Sequence, residues 1–86
     1  MQHPPLDLEV LDPVLTHVLS EHSEKAWSWM RNEPGAWGFL AGQGVVATRR
    51  QLERQLTDSE RRMVWSRLWW WLEQLKLRLP EQESQR

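Results

Sequence analysis

Four pieces of punctuation cut this chain into segments whose lengths suit helices. Asp12 followed by Pro13 reads as an N-cap with a first-turn proline. NEPG at 32–35 ends one helix and opens the next, because Pro34 disfavours helical backbone at Glu33 yet suits a first turn itself. TDSE at 57–60 matches a capping box, in which the Thr57 hydroxyl and the Glu60 carboxylate each answer an amide left unpaired by the helix start. Pro80 and the tail EQESQR close the series.

Between these marks apolar residues recur at three-and-four spacing. The alternating LDLEV at 6–10 would be a lone strand with nothing to pair with. The expected fold is therefore all-α: a small antiparallel three-helix bundle with a Trp-rich core. Its helices span about 12–32, 35–55 and 58–79, after an N-terminal arm at 1–11 and before a polar C-terminal tail at 80–86. The polar run SEHSEK leaves a break in the first helix near Ser20 to Ser23 open.

Tryptophan gives the chain its character: seven residues of 86, four of them in RMVWSRLWWWLEQLKLRL at 61–78. On a helical wheel Arg61, Val64, Trp65, Leu68, Trp71, Leu72, Leu75 and Leu79 fall within about 60° of one line. That line is the expected core face, with Trp37 and Trp29 on the matching faces of the other helices. AWGFLAGQGVVA at 36–47 is apolar all round, the mark of a buried segment. Within it Gly38 and Gly42, beside Ala41 and Val45, form a strip against which a Trp-rich helix can pack closely. Met63, Trp70 and Leu77 recur every seven residues on the opposite side, with Trp69 on a flank between the two faces.

This second stripe needs a cover, since burying one Trp is worth up to about 4 to 6 kcal/mol. The arm residues Leu6, Leu8, Val10 and Leu11 could fold over it, a second copy could meet it across a two-fold axis, or another protein or a membrane surface could dock there. A peripheral membrane role ranks last, because no row of lysines flanks the stripe.

Charge is divided along the chain. Residues 1–33 carry six acids and two bases, whereas residues 34–80 carry eight bases and four acids. Arg49, Arg50, Arg54, Arg61, Arg62 and Arg67 gather around the turn before the last helix, where they could contact an anion or nucleic acid. The bland account makes Arg49/Glu53 and Asp58/Arg62 ordinary i,i+4 pairs on a solvated surface. QLTDSERRMVW resembles the opening of helix-turn-helix segments, but WSRLWWWLEQL continues unbroken and apolar where a turn and a polar reading helix should follow.

Little points to catalysis. The chain has no cysteine, which removes disulfides, thiolate metal sites and a thiol nucleophile together and agrees with a cytoplasmic location. Its N-terminus lacks the basic start and apolar core of a secretory signal. His17 and His22, five apart, would lie about 140° around a helix and make a poor metal pair. With His3 they are the only histidines, and His22, on the first helix's apolar line of Leu11, Leu15, Val18, His22, Ala26 and Trp29, reads as a partly buried structural residue. The glycines at 35, 38, 42 and 44 do not have a nucleotide-binding spacing.

The expected protein is not an enzyme and needs no cofactor or metal. It is a small helical protein–protein interaction module, an adaptor, assembly factor or regulatory subunit. Met63, Trp69, Trp70 and Leu77 would bind a protein partner or a second copy as a homodimer. The alternative is a nucleic-acid-associated protein that uses the Arg-rich end.

Overall fold

The structure is a computed structural model, which describes residues 6–78. Expectations for His3, Leu79 and the tail at 80–86 lie outside the described residues. Every regular element among the described residues is helical: α1 (Leu8–Glu21), α2 (Ser23–Met30), α3 (Ala36–Leu52) and α4 (Asp58–Arg78). The all-α expectation holds, but four helices stand where three were expected.

The first expected helix is two. α1 starts at Leu8, capped by Asp7, whose carboxylate accepts the Val10 amide at 3.1 Å. Pro13 consequently lies inside α1 rather than at its first turn, where it leaves the Glu9 carbonyl without its helical donor. Both residues are exposed, so water can take that place. His22 then interrupts the helix with φ −122° and ψ 44°; its amide donates to the Val18 carbonyl, and its own carbonyl accepts from Lys25 and Ala26. The break falls within SEHSEK.

α3 begins after Gly35, whose φ of 88° only glycine adopts without strain. It ends at Glu53, earlier than expected, in the left-handed region with its amide on the Arg49 carbonyl at 2.8 Å. The capping box of α4 is present in full. The Glu60 amide donates to the Thr57 hydroxyl at 3.1 Å, and the Thr57 amide donates to the Glu60 carboxylate at 3.0 Å.

α3 packs on all three other helices. It runs antiparallel to α1, since His22 meets Phe39 while Pro13 and Gln51 share one hollow, and antiparallel to α4, where Trp37 meets Trp69 and Gly44 meets Val64. The core is aliphatic. Leu11, Leu15, Leu40, Val64, Leu68 and Leu72 are completely buried, joined by Leu6, Leu19, Ala26 and Leu56. The expected Trp core is replaced by Trp29, Trp37 and Trp71 lying partly buried against this cluster, while Trp65 is pushed out to 38% exposure.

The buried face of α3 explains that displacement. It presents Ala36, Leu40, Ala41, Gly44 and Thr48, mostly small residues, so α1 and α4 close down on it. A Cβ on Gly44 would stand 3.2 Å from a Val64 methyl and 3.3 Å from a Leu15 methyl, leaving no space for a ring there. Thr48 is fully buried and satisfies its hydroxyl by donating to the Gly44 carbonyl at 2.7 Å. The segment at 36–47 is not buried all round, because Gly38, Phe39 and Gly42 are exposed. The close-approach glycine is Gly44, not the expected pair Gly38 and Gly42, where an added Cβ would meet nothing within 4 Å.

The three positions should therefore separate in denaturant titrations followed by circular dichroism. Gly38→Ala and Gly42→Ala should each stabilise the chain by about 0.5–1 kcal/mol, because alanine restricts the unfolded backbone and fits a helix. Gly44→Leu should destabilise it by about 1–3 kcal/mol through overpacking against Val64 and Leu15. Equal effects at all three would contradict the packing described.

Candidate interaction surface

Asp12 does not cap a helix; it receives α4. Arg67 reaches it with two parallel bonds, Nε to Oδ1 at 2.8 Å and Nη2 to Oδ2 at 3.0 Å, and the Trp71 indole N–H donates to Oδ1 at 2.9 Å. The Arg67 hydrogen bonds hold the Asp12 carboxyl below its ordinary value of 3.8, outweighing the opposing effect of burial, with the Trp71 hydrogen bond helping. The guanidinium also lies over Trp70, 3.8 Å from the ring centroid, and the Trp70 and Trp71 rings meet edge to face at 5.1 Å. A cation–π stack of this kind on an anchored guanidinium restrains Trp70 from below while its outer face stays in water.

Met63, Trp70 and Leu77 remain exposed at 37%, 40% and 73%. The described residues of the arm do not cover them. Leu6 and Leu11 are part of the main core, Val10 packs against it, and Leu8 points to solvent. Trp69, expected beside the stripe, belongs elsewhere. It stands edge-on between Trp29 at 5.0 Å and Trp37 at 5.2 Å, and Lys76 lies 5.5 Å from the Trp29 ring. This cluster ties α2, α3 and α4 together, yet Trp69 keeps 45% of its surface.

The six arginines do not form one patch. Arg67 is committed to Asp12. Arg54 grips Glu60 with two bonds of 2.8 and 2.9 Å between largely sheltered side chains. That grip, with the Thr57 amide second, holds the Glu60 carboxyl down at about 2. Arg61 donates to the Leu56 carbonyl at 3.3 Å and to Asp58. The expected i,i+4 pairs are absent among the described residues: Asp58 turns to Arg61 instead of Arg62, and Glu53, turned aside by its left-handed backbone, does not meet Arg49. Arg49, Arg50 and Arg62 are exposed and face no carboxylate among the described residues.

The histidines are separately engaged, His17 with Glu21 at 3.3 Å and His22 edge-on to Phe39 at 5.1 Å. Among the described residues no three His, Asp or Glu side chains converge as a metal site would require, and no helix is long and apolar enough to cross a membrane. Asp12 and Trp71 were missed as partners because local punctuation offers Asp12 a simpler role; the available hint was an acid in the acidic half and an Arg four residues before an indole. Comparison with protein families, curated proteins and solved structures finds no match.

The depressed carboxyls of Asp12 and Glu60 fix the sign of the acid response. The unfolded chain takes up protons at these groups first, so their stabilisation is full above about pH 4.5 and is lost as the pH falls toward 2. Thermal melts across that range should show a fall in stability that Glu60→Gln flattens. Asp12→Ala strands both Arg67 and the Trp71 N–H and should cost about 1.5–3 kcal/mol at neutral pH. Asp12→Asn, which keeps an acceptor but not the charge, should fall between the two.

Proposed function

We propose that this chain is a small non-catalytic protein–protein interaction module, an adaptor, assembly factor or regulatory subunit, that docks through the outer face of α4. The observation that carries this reading is the line of Met63, Trp70 and Leu77, left in solvent on the side of α4 away from the core while Leu6, Val10 and Leu11 pack on that core instead. Met and Trp are enriched at the centres of protein interfaces, and contiguous apolar surface of this kind marks interaction sites.

Restraint of Trp70 supports the same reading. An indole already stacked on a guanidinium held by a carboxylate loses little freedom when a partner covers it, which favours affinity. The polar grouping of Asp12 with Arg67 and Trp71 spends its donors and acceptors on joining two helices. It therefore serves position better than chemistry. The occupant of the stripe is either a second copy or a different protein.

Molar mass by light scattering, from micromolar to hundreds of micromolar, separates these occupants. A wild-type species of twice 10.3 kDa that becomes a folded monomer in Trp70→Asp assigns the stripe to self-association. A wild-type monomer directs the stripe to another protein, whose affinity should then drop at least about 30-fold in Trp70→Asp, as at a typical interface hot spot. If mass and partner recovery are both unchanged in the variant, the reading fails.

A further inference from the structure

A second surface lies on the side of the α3–α4 pair away from α1. There the two helices leave an apolar groove of about 470 Å³, with Trp37 and Trp65 among its lining residues, Val45 and Arg61 alongside, and Gly38 and Gly42 at its floor. Both glycines are helical and exposed, and neither has a neighbour within 4 Å of the place a Cβ would take. No neighbour among the described residues requires them to be glycine. Their bare backbone keeps the groove deep, and small residues four apart allow a second helix to approach closely.

The rim supplies the sign of the occupant. Gly38, Gly42, Val45 and Arg49 follow one another along one face of α3 at i, i+4, i+7 and i+11. Arg62, Trp65, Trp69 and Lys76 share a flank of α4. Arg49 and Arg62 are exposed and meet no carboxylate among the described residues. The acids on this side are Asp58, already engaged by Arg61, and Glu73, one turn beyond Trp69. A second copy would bring the same bases face to face across a two-fold axis, which opposes pairing of this groove with itself.

The geometry points to an acidic amphipathic helix of another protein as the occupant, its apolar face set on the glycine floor beside Trp37 and Trp65 and its carboxylates on Arg49 and Arg62. This assignment is independent of the Met63, Trp70 and Leu77 stripe, which lies on a different face of α4.

The test uses two labelled peptides of about 20 residues, long enough to be helical. They share one Ala/Leu face and carry Glu or Lys elsewhere. Fluorescence anisotropy gives affinity, and the indole N–H resonances of Trp37 and Trp65 report the place of binding. The Glu peptide should bind at least about tenfold tighter than the Lys peptide and shift both resonances. Gly42→Leu, whose Cβ meets nothing within 4 Å and whose side chain enters the groove, should abolish binding without lowering the melting temperature. Arg62→Glu should reverse the peptide preference, and Trp70→Asp should leave it unchanged. The inference is overturned if the Glu peptide fails to bind at high micromolar concentration, if the Lys peptide binds as well, or if binding survives Gly42→Leu. It is equally overturned if wild type forms a dimer that Gly42→Leu dissociates, or if anionic vesicles or single-stranded RNA shift the two indole resonances while neither peptide does.

Discussion

Three hydrogen bonds from α4 converge on the Asp12 carboxylate, and they connect residues more than fifty positions apart in the chain. Aliphatic packing brings α1, α3 and α4 together but is indifferent to small slides and rotations, because methyl groups have no preferred direction. A planar guanidinium on a planar carboxylate does have one. The pair sets how α1 lies along α4, and the indole N–H of Trp71 adds a third fixed point. Trp70 is then stacked on the outer side of the same guanidinium, so the geometry of the exposed stripe follows from a contact made on the inner side.

What could be read in the sequence was local or periodic. The capping box at Thr57 and Glu60, the break at Asn32 to Gly35 and the aliphatic positions Leu11, Leu15, Leu68 and Leu72 all depend on neighbours within a turn or two, and all are found. The placement of the indoles was not legible. A helical wheel ranks directions, but whether a large ring fits in a direction depends on how far away the next helix stands. Gly44 brings α3 so close to Val64 and Leu15 that the interior accommodates methyl groups and excludes rings. Asp12 failed for a related reason: Asp followed by Pro is a sound local start signal, and only a partner far along the chain overrides it.

The arginines show the same division. Their clustering in sequence suggested one basic end, yet Arg54, Arg61 and Arg67 are each drawn to a carboxylate on a different element or turn. What remains for the surface is a sparser set, Arg49, Arg50 and Arg62. Net charge therefore says little about this molecule, and the sign of each face says more.

The seven tryptophans, none of them fully buried, also determine how the protein appears to a spectrometer. Indole emission responds to water near the ring, and here most rings meet water in the native state. Unfolding will change the average emission only modestly, whereas covering either face of α4 will change it strongly. Rings held edge to face at about 5 Å couple their transitions as well, adding a tryptophan signal to the far-ultraviolet dichroism usually assigned to helix alone. The intrinsic fluorescence of this chain is thus a poor gauge of whether it is folded and a sensitive one of whether it is alone.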